Sequence, residues 1–425
     1  RSTPAAGAAA AASAASSAST PAAPGAQPAV PWLPPLDGGQ LTADRLDLPL
    51  LATLAGRLPI GTGLRELLRQ LDPEGTVTAL DARWDGPLDH PRSWSAKAGV
   101  KGLAIAAAAS PEPGGIGRPG WRGADLQIDA SQAGGTAQLT LADGQITLPG
   151  VFDEPVVPLT HFGAQLQWAV APGATADSAP AISLKVLNAR FDNADAKGAL
   201  NASWHTGAGA GAGKGGRLPG VLQLEGSLSE GRATQVARYL PLGIGPDTRH
   251  WTQRAVRGGE LREVSYRVQG DLADFPFVNK RDGDFRIAGR VQGVTLAPVP
   301  SVPPGGPEPA WDSPWPAFTN VSGELVFERN SMQFSRARGS LAGLALDEVA
   351  GRIRELSVDP NVLEVDGAVR GPLAELLKVV RSTPLADASG HVLDNTTASG
   401  SGELKLNLAV PLGRTADAQL KASLQ

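Results

Sequence analysis

Period-two alternation recurs along this chain and constrains its fold more than any other feature. Leu222, Leu224 and Leu228 alternate with Gln223, Glu225 and Ser227, and Val264, Tyr266 and Val268 alternate with Ser265, Arg267 and Gln269. Phe285, Ile287 and Val291 alternate with Asp284, Arg286 and Arg290, while Leu404, Leu406 and Leu408 alternate with Glu403, Lys405 and Asn407. Leu139 with Leu141, Ile146 with Leu148, and Leu184 with Val186 are shorter instances. Successive side chains of a strand point to opposite faces, so each segment predicts a strand with one apolar and one wet face. Turn pairs such as Asp143-Gly144 and Asn330-Ser331 suit hairpins between such strands. The expected fold is mostly β: an elongated, curved antiparallel sheet, an open half-barrel or taco-like groove, with a few short helices.

Composition narrows the function classes. The 425 residues can bury a substantial apolar area, and 52 Gly with 36 Pro favour short strands and turns over long helices. A formal net charge of -4 offers no electrostatic footprint for a polyanion, so nucleic acid is not an expected partner. The absence of cysteine removes disulfides, thiolate metal sites and thiol nucleophiles. No run of about 20 apolar residues could span a bilayer, and no basic region followed by an apolar core marks a signal peptide. The chain opens at Arg1 and reads as an internal fragment of something longer.

Residues 1–40 are rich in Ala, Pro and Ser without a period, and predict a disordered linker. The body, 41–425, reads as a continuous β-groove interrupted by loops at 110–119, 207–216 and 299–316. Helical insertions are expected near 63–71, 233–257 and 372–381. In the first, Leu64, Leu67, Leu68 and Leu71 share a face; in the second, Asp247 is placed as N-cap; in the third, Pro372 opens a helix whose stripe is Leu373, Leu376, Leu377 and Val380.

Catalytic constellations are missing from the pattern. His90, His161, His205, His250 and His391 never stand at metal-ligand spacing on one element. Asp271 and Asp274 in GDLADF suggest a turn capped by Asp rather than a carboxylate pair. The glycine-rich GAGAGAGKGG lacks the Lys-Ser/Thr ending of a phosphate loop, and no G-x-S-x-G stands between strand and helix. The expectation is a protein without enzymatic chemistry, cofactor or metal.

A sheet with one apolar face is either covered, as in a sandwich, or used, as in a curved groove that holds an apolar ligand. Inward positions are mostly small or aliphatic, which leaves room, and Gly289 and Gly293 beside Ile287 and Val291 would suit bending. The candidate lining residues are Leu222, Leu224, Val264, Tyr266, Val268, Phe285, Ile287, Val291, Leu325, Phe327, Leu404 and Leu406.

From Arg238 to Phe277, RYLP, TRHW and GDLADFPF resemble the signature region of the YhdP family, AsmA-like proteins of the Gram-negative envelope. Arg238, Tyr239, Leu240, Pro241, Trp251, Gly270, Asp271, Phe275, Pro276 and Phe277 carry the motif, and it reads as a packing joint in the sheet. LPGVFDEPVVPL (148–159), FDNADAKGALNASW (191–204), WPAFTNVSGELVFERNSM (315–332) and RSTPLA (381–386) extend the resemblance over about 41–412. It implies a bridge-like lipid-transfer protein: a periplasmic β-groove, held by an inner-membrane anchor outside this chain, that moves phospholipid toward the outer membrane. The implied partners are phospholipid acyl chains, the inner membrane through that anchor, and outer-membrane or periplasmic proteins. The rival reading is a structural or assembly protein of the envelope whose β surface binds other proteins.

Overall fold

The computed structural model describes residues 38–55, 61–87, 89–111, 113–173, 178–209, 211, 213–305, 309–388, 390–412 and 419–424. The strands are β1 (Gly38–Asp47), β2 (Glu74–Asp85), β3 (Ser93–Ile105), β4 (Gly120–Ser131), β5 (Gly134–Thr147), β6 (Val156–Ala171), β7 (Ala181–Asp192), β8 (Ala196–His205), β9 (Val221–Arg232), β10 (Val256–Asp271), β11 (Gly283–Leu296), β12 (Phe318–Glu328), β13 (Ser331–Leu341), β14 (Leu344–Ile353), β15 (Val362–Pro372), β16 (Ser401–Pro411) and β17 (Gln419–Leu424). The α-helices are α1 (Leu48–Ala55), α2 (Thr62–Leu71), α3 (Pro246–Ala255), α4 (Leu373–Ser382) and α5 (Leu385–Ala388). Short 3-10 turns cover Ala233–Tyr239 and Leu272–Asp274.

These strands form one 17-stranded sheet. Each pairs antiparallel with its neighbours in the chain, from β1 with β2 through β8 with β9, β9 with β10, and on to β16 with β17. Among the described residues no ladder joins β17 back to β1, so the sheet is an open meander and not a barrel. At about 4.8 Å per strand it spans roughly 75 Å along the sheet.

So wide a sheet does not stay flat, and its strands are bent at defined points. Residues with positive φ sit inside strand after strand: Ala79, Gly102, Gly123, Asp143, Asn188, Glu263, Gly293, Asn320, Arg336 and Glu348. Register shifts accompany most of them. A bulge places an extra residue in one strand, which bends that strand and raises its twist. Side chains from β1 through β7 and Leu48 of α1 share one apolar cluster around Val77, Leu103, Leu139 and Leu141. That sharing puts the apolar face on the inside of the curve.

Strand parity places the helices. In a meander every odd-numbered strand ends at the same rim, called here the upper rim. α1 and α2 follow β1, α3 follows β9, and α4 and α5 follow β15, so all five lie at that rim. α1 opens with Asp47, whose Oδ1 accepts from the Leu50 amide at 3.1 Å, an N-cap contact.

Several local expectations are corrected. Asp143-Gly144 is no hairpin turn: β5 runs through it, and Asp143, at φ 50, is a bulge. The β12–β13 turn falls one residue earlier than expected, on Arg329-Asn330 with Arg329 at φ 49. Asp247 is not the cap of α3, which begins at Pro246 after Gly245 with no side-chain cap. Gly293 does not simply alternate with Val291, because at φ 61 it occupies a bulge. Leu67 of α2 is exposed, whereas Leu68 and Leu71 are half-buried. α1 had no forewarning, since LPLLATLA is too short and too uniformly apolar to display a helical stripe. The first 37 residues of the 1–40 segment lie outside the described residues, and Gly38–Gln40 already belong to β1.

Candidate functional site

The inner face is built from rows of direct cross-strand partners. One row runs from β4 to β11 as Ile128, Ala137, Leu166, Val186, Ala202, Leu224, Val268 and Phe285. A second runs from β8 to β16 as Leu200, Gly226, Tyr266, Ile287, Phe327, Met332, Ile353, Leu363 and Val410. No charged or polar side chain other than the Tyr266 hydroxyl interrupts either. Directly opposed residues on adjacent strands lie on one face about 5 Å apart, so each row is a continuous apolar track across the strands.

The twelve lining candidates fall on this face. Leu224, Val268 and Phe285 belong to the first row; Tyr266, Ile287 and Phe327 belong to the second. Leu325 lies opposite Gly289 and Phe334, and Leu404 lies opposite Val369. Leu222 faces Trp204, Val291 faces Leu261, and Leu406 faces Gly367. Val264 alone among the twelve is buried; the others are half-buried. Among the described residues no second sheet covers this apolar face, and its side chains remain partly exposed.

Five large side chains lie across glycines of the neighbouring strand. Trp84 faces Gly39, Trp168 faces Gly135, Phe191 faces Gly198, Tyr266 faces Gly226 and Phe334 faces Gly351. A Cβ on any of these glycines would come within 2.4–2.6 Å of the ring. The rings therefore lean along the face instead of standing into the trough, and the shielded glycines keep the track smooth.

The outer face is wet and paired. Lys97 bridges Asp129 at 2.8 Å, Arg286 bridges Glu328 at 2.9 Å, Arg352 bridges Glu364 at 2.6 Å and Arg370 bridges Glu403 at 2.8 Å. The Arg354 and Arg352 guanidiniums hold the Glu364 carboxyl below its usual range. Such exposed pairs contribute little stability each, but they keep this face in water.

Helices partly cover the trough at the upper rim. Leu376 and Val379 of α4 pack on Leu344, Val369 and Leu406. The loop after α5 is tied by His391, whose two ring nitrogens contact Asp394 Oδ2 at 2.9 Å and Asp387 Oδ1 at 3.0 Å. Those carboxylates, Asp394 first, raise the imidazole pKa.

The motif of Arg238 to Phe277 is not one joint. β10 separates its halves by about 50 Å, the length of a 16-residue strand. Arg238, Tyr239, Leu240, Pro241 and Trp251 stand at the upper rim, and Gly270, Asp271, Phe275, Pro276 and Phe277 stand at the lower. Trp251 is exposed and donates its indole N–H to the Pro298 carbonyl at 3.0 Å.

At the upper rim the insertion reaches back to β5–β8. The Tyr239 hydroxyl donates to Asp195 Oδ2 at 2.8 Å and accepts from Asn193 Nδ2 at 3.0 Å. Burial, and then Asp195, push its pKa up to about 12. Arg238 bridges Asp195 at 3.3 Å and Glu154 at 3.2 Å. Buried Arg249 grips Asp153 with two bonds of 2.8 and 3.1 Å and also donates to the Leu242 and Ile244 carbonyls. The segments VFDEP, FDNADA and RYLP thus meet in one place. Asp153, Asn193, Asp195 and Arg249 were not singled out in the sequence, and nothing local could have paired residues as much as 96 positions apart.

At the lower rim Phe277, at φ 60 and fully buried, fills the space beside Gly270 and Gly283, where a Cβ on either would meet its ring. Phe275 stacks edge-on against Phe277 and Phe285, with centroids 5.8 and 5.1 Å away. Asp271 Oδ1 accepts from the Ala273 amide at 3.0 Å and Oδ2 from the Gly215 amide at 3.1 Å. The two half-motifs therefore stand at opposite ends of β10, beyond the inward residues Val264, Tyr266 and Val268 that follow one another along that strand.

No helix among the described residues is long and apolar enough to cross a membrane. A family model described as "YhdP protein" matches residues 13–425. No curated protein and no solved structure matches.

Proposed function

This chain belongs to the YhdP family, and on that premise we propose that it is a periplasmic segment of an inner-membrane-anchored protein, conducting phospholipid toward the outer membrane without covalent chemistry. The observation that carries the reading is the pair of unbroken apolar rows, from Ile128 to Phe285 and from Leu200 to Val410, on the inside of an open sheet.

The physics of such a conduit is simple. An acyl tail leaving water gains about 0.8 kcal/mol for each buried methylene. On a track of uniform apolar character that gain stays nearly constant from strand to strand, so movement along the meander meets no large barrier. Head groups ride in the open mouth of the trough, where water and the upper rim are within reach. The outward ion pairs keep lipid from the convex face, because hydrocarbon laid over them would strip water from charged groups, which is costly even when they are paired.

Photo-crosslinking in cells tests this. Crosslinkers at Val268, Ile287 and Phe327 are expected to capture phospholipid, while those at Arg267 and Arg286 on the outer face are not. Equal capture from both faces, or a protein partner in place of lipid at the inner positions, would refute the conduit and favour an assembly role.

A further inference from the structure

We propose that the lower rim of the trough carries a belt of indoles, Trp84, Trp94, Trp168 and Trp204, that holds the glycerol-ester junction of a diacyl lipid whose tails lie on the apolar rows. This deepens the groove reading and rests on it.

Strand geometry gathers these four of the nine tryptophans. Even-numbered strands end at the lower rim and odd-numbered strands begin there, and each of the four lies no more than three residues from that end of β2, β3, β6 or β8. Trp84 and Trp94 are direct partners, and Trp168, Leu184, Trp204 and Leu222 are successive partners from β6 to β9. All four stand on the inner face. Along unshifted ladders Trp94 shares its face with Ala98 and Val100, and Trp168 shares its face with Leu166, all three of which belong to the inner apolar cluster. Trp94 is 38% exposed and the other three are half-buried.

Position selects the junction of an amphiphile. All five α-helices lie at the upper rim, where α4 packs onto the inner face. Among the described residues the lower rim has only turns and the short 3-10 segment Leu272–Asp274, so there the apolar face meets water directly. An indole joins a broad apolar ring to one N–H donor, and such rings concentrate where hydrocarbon gives way to water.

Hydrogen bonding selects the ester. The Trp204 indole donates to the Pro219 carbonyl at 2.9 Å, whereas the indole N–H groups of Trp94 and Trp168 have no acceptor among the described residues. An indole only donates, so the group that completes it at this boundary is an acceptor. The ester carbonyls of a diacyl lipid lie between tails and head group and fit that place. Tail methylenes offer no acceptor, and the phosphate lies a glycerol length farther into water.

The test uses the full chain and vesicles carrying phosphatidylethanolamine with ester-linked or ether-linked chains of equal length. The ether keeps tails and head group but lacks the carbonyls. In the Trp94→Phe/Trp168→Phe double variant the ester-to-ether retention ratio should fall about ten-fold, the loss of two neutral hydrogen bonds, whereas Trp204→Phe should leave it at the wild-type value. An unchanged ratio in the double variant, or an equal fall in Trp204→Phe, overturns the proposal. Photoreactive lipids on the wild-type chain give a second readout that does not depend on how the variants fold. A probe beside the ester should label the lower rim around Trp94 and Trp168, and a probe at the tail end should label the apolar rows. Ester-probe labelling of the upper-rim helices, with tail-probe labelling of the rows, overturns the belt while the groove stands. Failure of both probes to label the inner face refutes the groove reading, and the belt falls with it.

Discussion

Tyr266 on β10 lies across Gly226 on β9, and its hydroxyl reaches over that strand to donate to the Ala199 carbonyl on β8 at 3.3 Å. One side chain thereby spans three strands of the apolar track, and burial raises its pKa. A Cβ at Gly226 would lie 2.5 Å from the ring. Gly226→Val should therefore force the ring into the trough and cost roughly 1–3 kcal/mol, whereas Tyr266→Phe should cost only about 1 kcal/mol. Urea unfolding midpoints separate the two.

A charge within the second row should obstruct without unfolding. Ile287 stands between Tyr266 and Phe327 on a half-buried face, so Ile287→Asp keeps some access to water yet breaks the continuity that tails require. Lipid capture at Phe327 and beyond is expected to drop severalfold, while Ser265→Asp on the outer face leaves it unchanged. The readout is crosslinked lipid on either side of the substitution.

The grip of Arg249 on Asp153 holds the α3 insertion against the loop between β5 and β6. Asp153 is half exposed, and Arg249 keeps its two carbonyl acceptors when Asp153 is lost. Asp153→Ala is therefore expected to cost about 1–2 kcal/mol, below the range for a fully buried pair. Arg249→Met should cost more, because it leaves those carbonyls without a donor. Calorimetric melts of both variants check the order.

Stability at high pH should carry a Tyr239 signature. Its folded pKa, about 12, lies above the ordinary value of 10.0, so the neutral phenol is favoured in the fold. The contribution is complete below pH 10 and is lost as pH rises from about 10 to about 12, because the unfolded chain gives up the proton first. After discounting for partial exposure it amounts to roughly 1–2 kcal/mol. Tyr239→Phe should flatten this segment of the stability profile, as measured by unfolding at stepped pH.

His391 should report in the neutral range. Asp394 and Asp387 raise its pKa above 6.5, so its tie on the loop after α5 is fully present below that value and fades as pH rises through the folded pKa. Amide exchange around Asp387 to Asp394 is expected to quicken on alkalinisation, and His391→Gln should abolish that dependence.

Strand character was legible because it is local. Alternation such as Phe285 to Val291 encodes two faces through geometry that needs no distant partner, and α4 was legible as a helix for the same reason, although its buried valine is Val379 and not the Val380 of the expected stripe. Bulges were not legible: Ala79, Glu263 and Arg336 adopt positive φ against their own preference, held there by the flanking ladders. The motif from Arg238 to Phe277 looked like one joint because it is contiguous in the chain, yet a 16-residue strand carries its halves to opposite rims.

By itself the sequence determined that this protein is a one-faced β structure punctuated by short helices, since side-chain period and turn chemistry act over a few residues. Only the tertiary structure decided that the sheet stays open, that its apolar positions align into unbroken rows, and that Asp153, Asp195, Tyr239 and Arg249 meet at one rim. The reason is physical: register sums over many ladders, and contacts between residues nearly a hundred positions apart depend on how every intervening strand pairs.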